Sequence, residues 1–275
     1  MLAFSFTVPL TRLAVSDLSA WFVGSGRAVV AALCAAVLLR VTRQPVPTRS
    51  QAVRLLVVGG GVVVGFPYLT SLALRSVPAA HAAVVIGLLP AVMAVMTVVR
   101  TGEHPRPAFW GAAGAGALAV VAFVAYAGGG LGGVGGADLL LAGAVVVCAI
   151  GYAEGGMMTR ELGSWQTICW ALLGMLPLTA THVAVLLARD GWPHAGAGAW
   201  AAFGYLALVS MFLGFFAWYR GLGIGPMAQV SQLQLVQPVL SILWSVLLVR
   251  ERPGLGLLVA ALAVVACAAT AVRGR

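Results

Sequence analysis

Residues 68–103 read YLTSLALRSVPAAHAAVVIGLLPAVMAVMTVVRTGE, and residues 216–251 read FAWYRGLGIGPMAQVSQLQLVQPVLSILWSVLLVRE. Laid over one another, the two stretches keep a single offset. Pro78, Pro90 and Glu103, with Pro105 just beyond, stand 148 residues before Pro226, Pro238, Glu251 and Pro253. Ala80 and Ala228 fall on the same spacing, as do Val98 and Val246. Between these landmarks both copies are apolar. The second half of the chain therefore repeats the first, and the repeated unit is a bundle of membrane-crossing helices. Duplicated bundles are a common construction for secondary transporters, with the substrate site where the copies meet.

Composition agrees. Apolar residues make up 61% of the 275 and charged residues only 8%, against roughly 25% charged in a soluble domain. So few charges could not cover a soluble fold of this size. Strand barrels are excluded because the apolar runs are continuous rather than alternating. A bilayer core of about 30 Å takes about 20 apolar residues per helix. That predicts spans at 2–15, 20–39, 55–74, 79–99, 108–126, 139–158, 168–187, 200–219, 227–249 and 255–271. Met1 to Val15 rises only about 22 Å at 1.5 Å per residue. Either this helix stops short of the far interface or the true start lies upstream, and the second reading is preferred. No basic leader or cleavage site marks a signal peptide.

All sixteen basic residues are arginine, and the net charge is +9. They punctuate the gaps between apolar runs instead of gathering on one face, so a nucleic-acid partner is rejected. With both termini placed in the cytoplasm, that side holds Arg40, Arg43, Arg49, Arg54, Arg100, Arg106, Arg160, Arg220, Arg273 and Arg275. The other side holds Arg75, Arg189, Arg250 and Arg252. Ten against four is a positive-inside bias, which sets the orientation. Five spans per copy is odd, so the second copy crosses upside down. The expected fold is an all-α membrane protein of ten transmembrane helices in two inverted-topology five-helix repeats.

The two quoted segments carry a resemblance. Each has a short hydrophilic break, a small-residue helix start, a mid-helix proline and a glutamate just past the helix end. Arg27, in GSGRAVVAA, stands where one family often has an arginine early in its second helix. The chain resembles the EamA-type branch of the drug/metabolite transporter superfamily over nearly its whole length. The resemblance implies two EamA-like repeats, residues 1–127 and 137–275, joined by a Gly-rich loop at 128–136. It also implies a central cavity open alternately to each side, and transport of small metabolites. The clipped first helix departs from the pattern.

Within the bundle, polar groups are the candidates for chemistry. Glu154, in GYAEGG, is the one carboxylate inside an expected span, and ionisable groups there are costly. It is read either as a proton carrier or as the structural partner of Arg160 or Arg220. His81 and its repeat mate Gln229 would flank the midplane. His81 is read as a second proton-coupling group or as a helix-start residue bonded to a carbonyl. Gln229, Gln232 and Gln237 fall on one arc of a helix and are read as facing a wet cavity, while Gln234 points away and fits helix-to-helix bonding. Pro90 and Pro238 each free a carbonyl and kink their helices, as gating pivots or as static bends. Tyr68 is taken as a cavity aromatic; Trp170, Trp218 and Tyr219 divide between substrate contact and interface belt. Arg12 and Arg27 either snorkel outward or bind an anion. His182 is read as structural.

Several matches are discarded. Gly128, Gly130 and Gly133 satisfy G-x-G-x-x-G without the strand it requires, and no phosphate-binding loop is present. Cys34, Cys148, Cys169 and Cys267 lie in apolar runs with no metal or disulfide spacing. Gly61-x-x-x-Gly65 fits close helix packing. Isolated histidines and one carboxylate do not make an enzyme, a cofactor site or a metal site. The sequence is thus read as a secondary active transporter, an exporter, of a small organic metabolite or drug across a bacterial-type plasma membrane. A non-transporting sensor or scaffold on the same bundle is the alternative. Monomer and homodimer are both compatible.

Overall fold

The computed structural model describes residues 1–101, 107, 110–111, 114–115, 118–119, 122, 135–224, 230, 232–252 and 254–273. Among them no strand occurs. A short turn, Leu2–Ser5, leads into α1 (Thr7–Asp17). Then come α2 (Ala20–Val41), α3 (Arg49–Ala73), α4 (Ala79–Arg100), α5 (Gly136–Leu162), α6 (Ser164–Asp190), α7 (Ala197–Ile224), α8 (Val236–Val249) and α9 (Leu255–Arg273). Helices α2 to α7 are each long and apolar enough to cross a bilayer, and α8 is a shorter apolar helix. The expected span at 108–126 and the glycines at 128–134 lie largely or wholly outside the described residues, as do Glu103, Pro105, Pro226, Gln229 and Pro253.

Helices begin at caps, not at the first long apolar run. α3 was expected from 55 but starts at Arg49, because Thr48 and Gln51 form a reciprocal capping box. Ser19 caps α2 by accepting from the Phe22 amide. α5 starts at Gly136 and draws Asp138, expected outside the membrane, into its first turn. Glu154 is therefore not the sole carboxylate of the helices.

The 148-residue offset recurs in backbone irregularities. α3 carries a π-helical stretch at Gly59–Gly65 and α7 another at Leu206–Leu213. α4 breaks at Gly87 and Leu88, and a 3₁₀ turn, Gln232–Leu235, precedes α8 at the matching place. Packing obeys the same relation. α2 lies on α6 and α4 on α8, while α3 packs on α5 as α7 packs on α1. Ala28, Ala31, Ala32 and Ala35 of α2 are fully buried, so small side chains let backbones close up.

The tightest approach joins α3 and α5. A Cβ on Gly61 would stand 2.3 Å from the Val147 carbonyl oxygen, and one on Gly151 2.9 Å from Val62 Cγ1. Gly60, one residue away, faces open space. Gly61→Ala is therefore expected to destabilise the protein by about 1–3 kcal/mol through overpacking, whereas Gly60→Ala leaves stability unchanged or slightly raised. Thermal unfolding of the two purified variants in detergent checks the contrast; equal melting temperatures would rule out the close crossing.

Candidate functional site

The repeat mates meet at the centre of the bundle around two small cavities that share Leu89 and Gln237. The larger is lined by mates in pairs: Phe4 with Tyr152, Val62 with Ser210, Pro67 with Phe215, and Leu89 with Gln237. The smaller adds Ile86 with Gln234, and Pro90 with Pro238. In most of these pairs the first half supplies an apolar group and the second half a polar one. Both π stretches reach this place, through Val62 on α3 and through Ser210 and Met211 on α7. Such local rewinding of a helix is frequent at functional sites. The space open to water centres is about 30 Å³ in the larger cavity and about 10 Å³ in the smaller. One water needs roughly 10–15 Å³, so this conformation has room for water but not for an organic solute.

Two polar features mark the walls. The hydroxyls of Thr7 on α1 and Ser210 on α7 share a hydrogen bond of 2.7 Å. Arg27 of α2 lines the larger cavity and is only 1% exposed. Its Nε and Nη2 have no hydrogen-bond partner among the described residues. The expected outward snorkelling of Arg27 does not occur, because the side chain ends inside the bundle. Arg12 instead donates to the carbonyls of Leu74 and Arg75, just past the end of α3.

Each end of the site is tied by charge. At one end Glu154 of α5 accepts from Arg54 of α3 and Arg100 of α4, and Arg54 also donates to Glu161. The partners expected for Glu154, Arg160 and Arg220, are replaced by two arginines that converge from α3 and α4. At the other end Pro78 opens α4 without a side-chain cap. The Glu251 carboxylate, just past the end of α8, takes its place and accepts from the amides of Ala79 at 2.7 Å and Ala80 at 2.8 Å. Arg250, with φ of 58°, turns the chain so that Glu251 points back. In the same first turn of α4, His81 Nε2 meets Asp138 Oδ1 at 2.7 Å, while Asp138 Oδ2 accepts from the Gly135 amide. α8 thus ends where α4 begins, and the two run antiparallel.

Of the residues singled out from sequence, Gln237, Pro90 and Pro238 border the cavities, and Gln232 lies in the 3₁₀ turn. Tyr68, His81 and Glu154 sit away from these cavities. Tyr68 hydroxyl pairs with His182 Nδ1 at 2.6 Å, their rings stack, and Trp21 meets both edge-on. Gln234 was expected to point elsewhere but lines the smaller cavity, 3% exposed. A 3₁₀ turn advances 120° per residue rather than 100°, which voids the helical arc used to place it. Trp218 and Tyr219 are not an interface belt. Both are buried beside Tyr152 and α5, where a Cβ on Gly155 would stand 2.4 Å from the Tyr219 hydroxyl. Asp138 was missed because it precedes the apolar run, although an acid in a helix's first turn is a capping signal.

The EamA-like transporter family matches residues 1–125 and 135–273 of the chain. The uncharacterized transporter YdeK of Bacillus subtilis (strain 168) is 45% identical over 273 residues, which span 99% of this chain and 94% of that protein. A solved crystal structure is similar in fold, with a TM-score of 0.65 over 98% of this chain and 94% of its own, at 22% identity.

Two substitutions probe the ties. Glu251→Ala removes the cap of α4 and is expected to cost about 1–2 kcal/mol, or roughly 2–8 °C in melting temperature. In a double-mutant cycle, Glu154→Gln and Arg54→Gln are expected to couple by about 0.5–2 kcal/mol. Additive losses would mean that the pair contributes nothing.

Proposed function

The chain belongs to the EamA-like transporter family, and on that footing we propose that it is a secondary active carrier exporting a small organic solute by alternating access. Its framework is ten helices in two inverted five-helix halves, with both termini in the cytoplasm of a bacterial-type cell. The observation that carries this reading is the central cavity, walled by repeat mates and closed by separate polar ties at its two ends. The antiparallel pairing of α4 with α8, fixed by Glu251 on Ala79 and Ala80, supports the inversion.

The conformation described is closed, so the solute enters only when one end parts. On the cytoplasmic side that parting breaks the Arg54–Glu154–Arg100 cluster. On the outer side it releases Glu251 and the His81–Asp138 pair. The acids of these ion pairs are buried, so desolvation offsets much of their Coulomb attraction and the net hold of each is small. Ties of that size hold one end shut and still yield to a solute that binds one state more tightly than the other. Pro90 and Pro238 face each other across the smaller cavity and supply the bends about which α4 and α8 pivot. His81, with Asp138 beside it, is the group proposed to couple proton movement. Glu154, engaged by two arginines, is assigned to the tie.

Two measurements test the reading. In a background lacking the four cysteines, single cysteines at Thr101 and Arg252 are expected to label from opposite faces of intact cells. Labelling from the same face refutes the inversion. Purified protein in proteoliposomes is expected to show counterflow of labelled solute, slowed at least tenfold when Pro90 and Pro238 are both changed to Ala. Absence of counterflow with every solute class tried would favour a sensor or scaffold.

A further inference from the structure

We propose that the solute is a monocarboxylate with an apolar body, its negative charge received by Arg27; as a claim about transport this rests on the carrier reading above. Arg27 is a buried cation with Nε and Nη2 unpartnered at a cavity wall. The described carboxylates are all engaged elsewhere. Asp17 accepts from the Gly196 amide, Asp138 meets His81, Glu154 and Glu161 meet Arg54, Asp190 meets Arg189, and Glu251 caps α4. A structural arginine this deep would have acceptors within reach, because an isolated charge in a low-dielectric interior is costly. The missing acceptor is the ligand.

The surroundings narrow its class. A guanidinium presents parallel N–H groups that match the two oxygens of a carboxylate. Arg27 is the one cation among the described residues lining this cavity, so a monoanion balances it and a phosphate dianion does not. Among the described residues no carboxylate lines the cavity to meet the ammonium of a zwitterion. Phe4, Phe66 and Phe215 give the wall an aromatic part beside the Thr7 and Ser210 hydroxyls, with Tyr152 and Gln237 as its other polar residues. They suit an aryl or alkyl body with its carboxylate turned toward α2.

The test uses the purified protein in detergent, with phenylacetate, its neutral amide phenylacetamide and the cation phenethylammonium as probes. Saturating phenylacetate is expected to raise the melting temperature by about 3 °C or more, and the other two are not. Arg27→Gln is expected to abolish the rise and Arg27→Lys to keep part of it. An equal rise in Arg27→Gln, an equal rise with sodium chloride, or no rise with phenylacetate and the straight-chain acids from acetate to octanoate would overturn the proposal. The ligand-free protein gives a second readout. Arg27→Met removes an unmatched charge, so its melting temperature is expected to hold or rise; a fall of about 5 °C or more would make Arg27 structural and overturn the site. Counterflow separates the two claims. Binding of acid without flux leaves the site and removes the carrier, whereas flux of amines without acids leaves the carrier and removes the site.

Discussion

A helix that starts inside an apolar bundle has amides with nothing to bond, and in lipid each such group costs several kcal/mol. α4 faces this problem at Pro78, which has no side-chain acceptor. The carboxylate that solves it comes from Glu251, 172 residues away in sequence. That one contact sets the end of α8 against the start of α4. With the helices held so, Leu89, Pro90, Gln237 and Pro238 border one cavity. The cavity is the gap left between two bent helices held at this register, and the π stretches of α3 and α7 supply its flanks.

The repeat was legible in sequence because prolines and glutamates are sparse in apolar runs and their spacing stands out. The membrane class was legible from composition alone. The glutamates were visible as landmarks, but not their task, since a cap supplied from the other half leaves no local signature. The site was harder to read. The search for ionisable residues within apolar windows found Glu154 and His81, which the structure places in ties at the two ends. It passed over Asp138, whose helix begins before the apolar run. The helical wheel set Gln237 on one arc and Gln234 off it, yet both border the smaller cavity, because a 3₁₀ turn intervenes. Arg27 was visible as an arginine within a span. Whether such a residue reaches water or stops short depends on its neighbours, and sequence spacing does not carry that.

The polar ties at the two ends differ in kind. The Arg54–Glu154–Arg100 cluster draws side chains from three helices, and Arg100 remains half exposed. The opposite end relies on a carboxylate bonded to main-chain amides and a second acid bonded to a histidine. Salt reaches the partly exposed arginines of that cluster more readily than the buried Glu154 between them. A cap on a helix start is geometrically fixed, and breaking it leaves amides unbonded. The two ends are therefore held by interactions of different kinds, side chain on side chain at one and side chain on main chain at the other. His81, bonded to Asp138, stands one residue beyond the two capped amides, so both acids converge on the first turn of α4.

The same asymmetry runs through the cavity. Duplication supplies paired positions, yet Tyr152, Ser210, Gln234 and Gln237 come from the second half opposite Phe4, Val62, Ile86 and Leu89 from the first. Arg27 reverses the pattern, since its repeat mate is Met175. A wholly symmetric cavity would bind a solute equally well in two orientations related by the pseudo-twofold. One guanidinium on α2, facing hydroxyls and amides largely from the other half, removes that degeneracy. The backbone repeat pairs the positions around the cavity, and the unpaired guanidinium makes the cavity's two halves chemically unlike.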